Sequence, residues 1–223
     1  AIVHYPLSWN ASDTRPVLMF FHGGGWSQHN LDMFEEKADE FALEGFVAIR
    51  FDYQSTKEDK VNIGQLIKNA KSAVRWVRSK SEVLGVDPHR VIGCGGSSGG
   101  HIIAAAATIP DFNEETDDLS ISPVVDYLVS FNGVMARKES QYNPAKFLSL
   151  NTPPTLIMFG TEDGYRKSGL EWQDSAKHFE FPSVWKDAPG QKHGFFNRST
   201  WSPIAMHWAR EFLYAHGGID YKL

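Results

Sequence analysis

Residues 90–101 read RVIGCGGSSGGH, a short apolar run that passes directly into a glycine-rich turn. A run of this kind is typical of a strand buried on both faces of a parallel sheet. The small-residue stretch that follows, over residues 99–108, favours a helix packed close to that strand. The turn contains the pattern G-x-S-x-G, which places a serine in a strained backbone conformation between a strand and a helix. The sequence therefore predicts an exposed serine hydroxyl at the carboxyl end of a buried strand.

Segments of strand and helix character alternate along the rest of the chain. Continuous apolar runs predict strands at residues 17–21, 46–51, 90–94, 124–131, 155–159 and 183–186. Apolar residues at helical spacing predict helices over residues 33–43, 63–84, 99–108, 170–179 and 204–216. This alternation predicts an α/β fold with a mostly parallel, doubly wound sheet and helices on both faces. Since there is neither a repeat nor a linker-like change in composition, residues 1–223 are expected to form a single domain.

Composition narrows the classes of function. The 22 Lys and Arg and 27 Asp and Glu residues give a net charge of −5 without a basic stripe, which argues against nucleic-acid binding. The longest apolar runs are far shorter than a membrane span. A single cysteine, Cys94, excludes an internal disulfide and a cysteine-rich zinc site. No signal peptide stands at the N-terminus as given, but the chain begins at Ala1 rather than Met, so a leader could have preceded it. The sequence leaves open the oligomeric state and the compartment, whether cytoplasmic or secreted and periplasmic.

Two serines in the turn compete for the nucleophile position. Ser97 has a glycine two positions away on either side, and Ser98 has the same neighbours one residue later, so both meet the steric requirement. We prefer Ser97, because it leaves the Ser98 N–H at the first turn of the helix, where partial positive charge favours an oxyanion. A phosphate-binding loop is the other interpretation, but the lysine of the P-loop pattern is absent.

A second glycine-rich motif, HGGGW at residues 22–26, follows the first predicted strand. Its glycines allow backbone N–H groups to approach a ligand with no side chain in the way. We therefore expect Gly23, Gly24 and Ser98 to form an oxyanion hole, and His22 to hydrogen-bond within the loop.

The chain contains seven tryptophans, and Trp26 adjoins this loop. It is a candidate substrate-binding residue, which with Trp172 and Trp201 would form a platform for a sugar or an aromatic acyl group. The other interpretation is that most of these tryptophans pack in the core.

A serine nucleophile needs a histidine base and a carboxylate that orients the base. Residues 160–164, GTEDG, follow the fifth predicted strand, and their two carboxylates are rivals. We prefer Asp163 over Glu162, because its side chain is shorter and a glycine follows it in a turn. His193 lies in the loop after the last strand, which makes it the preferred base among the nine histidines. The order serine, carboxylate, histidine is the one expected in a sheet of this kind.

Together these motifs resemble the α/β-hydrolase superfamily. GGSSGGH at residues 95–101 and HGGG at 22–25 are similar to the elbow and oxyanion loop of hormone-sensitive-lipase-like esterases, although Gly96 stands where that family has Asp. Residues 153–163, PPTLIMFGTED, resemble its acid-strand segment, which supports Asp163. The resemblance implies the α/β-hydrolase fold and a cofactor-free, metal-free carboxylesterase with a Ser97–His193–Asp163 triad.

The chain departs from that family in lacking room for a helical cap, both before residue 17 and between residues 132 and 153. In this respect it resembles small capless bacterial esterases of the feruloyl- and acetyl-xylan-esterase type. That resemblance implies short-chain, carbohydrate-linked or aromatic acyl esters as substrates.

Two other functions stay open. A serine peptidase of the oligopeptidase type would hydrolyse an aminoacyl amide. A non-catalytic, hydrolase-like binding protein would bind a ligand without turnover.

Overall fold

Seven strands form one sheet in the computed structural model, which describes residues 1–219. The strands are β1 (Ile2–His4), β2 (Arg15–Phe21), β3 (Val47–Phe51), β4 (Val86–Gly96), β5 (Tyr127–Phe131), β6 (Thr155–Gly160) and β7 (Ser183–Ala188). Their order across the sheet is β1-β3-β2-β4-β5-β6-β7. Only β1 is antiparallel to its neighbour, and the other strands run parallel. The predicted mostly parallel sheet is confirmed.

Within residues 1–219, six α-helices cover the two faces of this sheet. They are α1 (Glu35–Leu43), α2 (Ile63–Ser79), α3 (Ser81–Leu84), α4 (Ser98–Thr108), α5 (Arg166–Ala176) and α6 (Ser202–Ala215). Because strand side chains alternate between faces, Val17 and Met19 of β2 belong to the core beneath α2, α4 and α5, whereas Leu18 and Phe20 belong to the core beneath α1 and α6. Burial on both faces explains why β2 reads as a continuous apolar run.

The sequence pattern missed β1 and misplaced several boundaries. β1 has three residues at the sheet edge, which is too short to produce a periodic signal. The helix predicted over residues 63–84 is interrupted at Lys80, where φ is −109° and ψ is 14°. The strand predicted from residue 124 begins instead at Tyr127. The single-domain interpretation stays a prediction, and its last residues, 220–223, lie outside the described part of the chain.

One charged residue lies within the apolar strand β3 and fixes the loop that leads towards the site. Arg50 is 2% exposed. Its guanidinium donates to His4 Nε2 at 2.9 Å, to Leu31 O at 2.9 Å and to Glu35 Oε1 at 3.2 Å. A buried charge is tolerated when its donors are satisfied in this way. The segment that carries Met33 is thereby held against the sheet.

No α-helix within residues 1–219 forms a cap over the carboxyl ends of the strands. Residues 109–126 contain no helix, and residues 132–154 contain only short 3-10 helices at Ser140–Tyr142 and Pro144–Lys146. The prediction of a capless fold is confirmed for the described residues. Among those same residues, none of the helices has both the length and the apolar character needed to cross a bilayer.

Candidate active site

The turn between β4 and α4 holds Ser97 in an unusual conformation. Its φ is 49° and its ψ is −117°, in a region that non-glycine residues rarely adopt. The positions two residues before and after Ser97 must be glycine, because any side chain there would clash with neighbouring backbone. A Cβ on Gly95 would lie 2.5 Å from Gly100 N, and one on Gly99 would lie 2.1 Å from Phe21 O. The turn therefore presents a partly exposed serine hydroxyl at the N-terminus of α4.

Ser97, His193 and Asp163 lie in one chain of hydrogen bonds. Ser97 Oγ is 2.8 Å from His193 Nε2, and His193 Nδ1 is 2.8 Å from Asp163 Oδ2. Since a carboxylate only accepts, Nδ1 carries the proton and Nε2 accepts from the serine hydroxyl. The three residues come from the ends of β4 and β6 and the loop after β7, as parallel strands require.

Asp163, and not Glu162, is the carboxylate that contacts the histidine. The Asp163 side chain is fully buried, and its second oxygen accepts from Tyr165 N–H at 2.8 Å. Glu162 is exposed to solvent. Both oxygens of Asp163 are therefore held, which fixes the orientation of the carboxylate against His193.

The two serines of the turn have different surroundings. Ser98 is fully buried, and its Oγ lies 3.3 Å from the Tyr53 hydroxyl, which also donates to His22 O at 2.7 Å. Burial raises the pKa of Tyr53, so it remains a neutral donor. The Ser98 side chain therefore packs beneath the turn against Tyr53, whereas the hydroxyl that contacts His193 is that of Ser97.

A cavity of about 290 Å³ opens above the Ser97 hydroxyl. It is lined by Gly23, Gly24, Gly25, Met33, Ser97, Asn132, Tyr165, His193, Gly194, Phe196 and Asn197. Two of the three expected oxyanion-hole residues, Gly23 and Gly24, are therefore part of its wall. The N–H of Gly23 lies 3.1 Å from Met33 Sδ, a weak acceptor that a negatively charged oxygen would readily replace.

Sequence reasoning missed Asn132, which follows the carboxyl end of β5. Its Nδ2 lies 2.9 Å from His193 Nδ1 and 3.2 Å from Nε2, so the amide rests against the imidazole. The residue is fully buried, has a φ of 46°, and its Oδ1 lacks a hydrogen-bond partner among the described residues. The strand-end rule that selected Asp163 would also have found it, had it been applied to β5.

Trp26 lies beside the cavity without lining it. Its indole N–H donates to His101 Nδ1 at 3.1 Å, and the Arg137 guanidinium stacks on its ring at 4.4 Å. His101 Nε2 in turn donates to Tyr142 O at 2.7 Å, and full burial lowers the pKa of His101 to about 4. His101 is therefore neutral and links Trp26 to the backbone at Tyr142 beneath the turn. The substrate-binding role of Trp26 stays a prediction.

The other tryptophans considered for a platform pack within the protein. Trp172 is fully buried in the core beneath α5, and Trp201 packs against Phe195 and Trp208. Trp172 is therefore a core residue, and Trp201 is a partly buried residue that packs against the core.

His22 bonds within its loop as predicted, since its Nδ1 lies 2.9 Å from Gly23 O. Its Nε2 lies 3.0 Å from Asp52 Oδ1, and His29 Nδ1 lies 2.8 Å from the same oxygen. Partial burial acts to raise the pKa of Asp52, but its hydrogen bonds with His29 and His22 outweigh burial and lower the pKa. Nothing in the spacing of His29 predicts that it lies near the end of a strand.

Residues 5–137 match the BD-FAE family. Among curated proteins, the carboxylesterase NlhH of Mycobacterium tuberculosis is 32% identical over 125 residues, which are 56% of this chain and 37% of NlhH. The chain therefore spans little more than a third of the length of that relative. Esterase LipI of the same organism is 27% identical over 91% of this chain and 72% of its own length.

Solved structures match over nearly the whole chain. Thermogutta terrifontis esterase 2, phosphoramylated by tabun, superposes with a TM-score of 0.94 at 28% identity, covering 99% of this chain and 90% of the esterase. A propionate-bound structure of the same esterase gives a TM-score of 0.93 at 28% identity, covering 99% and 90%. Together with the sheet order, this similarity confirms the predicted α/β-hydrolase fold.

Proposed function

The chain belongs to the BD-FAE family, and from this premise we propose that it is a serine esterase that hydrolyses carboxylic esters through an acyl-enzyme intermediate. The observation that carries the proposal is the pair of 2.8 Å hydrogen bonds linking Ser97, His193 and Asp163. A hydroxyl, an imidazole and a buried carboxylate in this order are the groups that nucleophilic acyl transfer needs. The similarity to esterases adds support that is independent of these distances.

In the proposed acylation step, Ser97 Oγ attacks the ester carbonyl while His193 Nε2 takes the serine proton. The starting geometry suits this transfer, because Nε2 already accepts from the hydroxyl. Asp163 holds the imidazole in the required tautomer and stabilises the imidazolium as it forms. His193 then gives the proton to the departing alcohol oxygen, which leaves an ester between the acyl group and Ser97.

The negative charge on the carbonyl oxygen is assigned to the N–H groups of Gly23, Gly24 and Ser98. Ser98 is the first residue of α4, where the helix dipole adds partial positive charge. Each such donor contributes on the order of 3 kcal/mol to the transition state. Water activated by His193 then attacks the acyl-enzyme, and the acid departs with Ser97 restored. This scheme needs no cofactor or metal.

The substrate we propose is a small-molecule or carbohydrate-linked ester with a short or aromatic acyl group. A cavity of about 290 Å³ with Phe196 and Met33 in its wall suits a small apolar group better than a long chain. The propionate bound to the Thermogutta esterase is consistent with this choice. The capless surface leaves room for a bulky alcohol portion.

Hydrolysis of p-nitrophenyl acetate by Ser97→Ala tests the proposal. We expect kcat to fall at least about 10⁴-fold, because the nucleophile is lost while the binding surface remains. Ser120→Ala, an exposed loop serine, serves as the matched control and should retain wild-type kcat. Full activity of Ser97→Ala would overturn the assignment. Turnover of an aminoacyl p-nitroanilide faster than the ester would favour the peptidase alternative.

A further inference from the structure

Two histidines and a carboxylate meet outside the triad, at the carboxyl ends of β2 and β3. One candidate ligand atom from each of His22, His29 and Asp52 lies within 4.8 Å of the other two. His22 Nε2 and His29 Nδ1 approach the same oxygen, Asp52 Oδ1, at 3.0 Å from His22 and 2.8 Å from His29. The catalytic scheme uses none of these three side chains.

His22 has an acceptor on each ring nitrogen. Its Nδ1 faces Gly23 O at 2.9 Å, so that nitrogen must carry a proton. Its Nε2 faces a carboxylate oxygen, which also only accepts. A neutral His22 would therefore direct a lone pair at Asp52, while the side chain is only 2% exposed to water. The lone pair and the carboxylate need a positive species between them, either a proton or a metal ion.

His29 also has an acceptor near each of its two ring nitrogens. Its Nδ1 faces Asp52 Oδ1, and its Nε2 lies 3.3 Å from Asp59 Oδ2 and 3.6 Å from Glu58 Oε2. Metal-binding histidines characteristically donate their other ring N–H to a carbonyl or carboxylate. Gly23 O serves this purpose for His22, and Asp59 serves it for His29. Both rings thus have the outer contacts that a metal site requires.

From this geometry we propose that His22 Nε2, His29 Nδ1 and Asp52 Oδ1 bind a divalent transition-metal ion of the Zn²⁺ type. Two imidazole nitrogens and one carboxylate oxygen suit Zn²⁺, whereas Ca²⁺ and Mg²⁺ prefer all-oxygen sites. Ligands about 2.0–2.2 Å from a tetrahedral ion lie about 3.3–3.6 Å apart. The two nitrogen–oxygen separations, 3.0 Å and 2.8 Å, would widen by about half an ångström, and the two nitrogens, which lie within 4.8 Å of each other, would settle at the same spacing.

An ion can reach this site from solvent. The Asp52 side chain is 41% exposed and the His29 side chain 35% exposed. Both line an open cleft of about 600 Å³, which also includes Tyr53 and Asp59. The three protein ligands leave a fourth tetrahedral position, and we expect water to occupy it. This proposal does not depend on the proposed esterase function.

The test is calorimetric titration of the EDTA-treated, dialysed protein with ZnCl₂. We expect one tightly bound Zn²⁺ per chain. His29→Gln should weaken binding at least about 100-fold, because even outer contacts of a metal site contribute 10–100-fold to affinity. His29 is a partly exposed loop residue, and Asp52→Asn provides a second variant with the same expected loss. His178→Gln removes an exposed histidine elsewhere and should bind like the wild type.

X-ray absorption on the Zn²⁺-loaded wild type provides a readout that needs no substitution. We expect two imidazole nitrogens and a carboxylate oxygen at about 2.0–2.2 Å. Absence of stoichiometric Zn²⁺ binding by the wild type would overturn the proposal and assign a proton to the place between His22 and Asp52. Binding undiminished in both His29→Gln and Asp52→Asn would also overturn it.

Discussion

Two histidine–carboxylate pairs lie at the same edge of the sheet and differ in what occupies the second ring nitrogen. His193 contacts Asp163 through Nδ1 and the Ser97 hydroxyl through Nε2. His22 contacts Asp52 through Nε2 and a backbone carbonyl through Nδ1. In these two contacts the first ring faces one acceptor and one donor, which together satisfy both nitrogens of the neutral form. The second has two acceptors, so the neutral form is not.

The chemistry open to an imidazole therefore depends on the partners of both its nitrogens, and not only on the presence of a carboxylate. A neutral ring with a hydroxyl on Nε2 is prepared to take a proton, which is the task of a general base. A ring whose nitrogens face a carbonyl and a carboxylate can bind a proton or a metal ion together with that carboxylate. The triad pair supports proton transfer, and the His22 pair supports metal binding.

Removing the negative charge that contacts His193 tests the role of the first pair. Asp163→Asn should lower kcat for p-nitrophenyl acetate about 10⁴-fold, because the amide no longer requires a proton on Nδ1 and no longer stabilises the imidazolium. Glu162→Gln, the adjacent exposed carboxylate, should stay within about twofold of wild type. Steady-state kinetics of the two variants make the comparison. Equal losses would mean that the carboxylate assignment is wrong.

His101 differs from both pairs, because its ring nitrogens face one donor and one acceptor and neither contacts a carboxylate. Burial lowers the pKa of His101 to about 4 from an ordinary value of 6.5. Between these values the unfolded state takes up a proton that the folded state excludes, so stability falls as the pH falls from about 6.5 to about 4. The loss amounts to about 3 kcal/mol of unfolding free energy.

Urea unfolding at pH 7 and pH 4 measures this loss in the wild type and in His101→Gln. The variant lacks the titrating ring, so its loss over the same interval should be smaller by about 3 kcal/mol. Equal losses in the two proteins would contradict the account. The ring resonances of His101 in the wild type should also remain those of neutral imidazole down to about pH 5.

The smallest expected effect concerns Asn132, which contacts His193 without belonging to the triad. Asn132→Ala should lower kcat about tenfold, because the ring loses a support but keeps Asp163 and Ser97. Asn151→Ala, at an exposed turn, is the matched control. A loss as large as that of Asp163→Asn would mean that Asn132 takes part in the chemistry. An unchanged kcat would mean that Asn132 does not support His193.

The site residues could be predicted from the sequence where a local rule determines their positions. The G-x-S-x-G turn and the convergence of strand ends were enough to group Ser97, Asp163 and His193 across the chain. The spacing of the glycines could not decide between Ser97 and Ser98, since both serines satisfy it. The structure separates them, because Ser97 has a φ of 49° and contacts His193, whereas Ser98 is buried.

Other features depend on contacts that have no periodic signal. The loop after β2 turns through Trp26, whose φ is 62°, and brings His29 back to the end of β3. Nothing in the spacing of His29 and Asp52 indicates that meeting. Strand β1 was missed because three residues at an exposed edge produce no apolar run. Burial of Trp172 likewise depends on which face of α5 meets the sheet.

Covalent trapping of the nucleophile tests whether Ser97 is the reactive serine. The protein is incubated with a phosphonate that reacts with activated serines, and the adduct is located by peptide mass spectrometry. The account predicts a single adduct on Ser97, formed as activity towards p-nitrophenyl acetate is lost. Label on Ser98, or complete inactivation with no label on either serine, would contradict it.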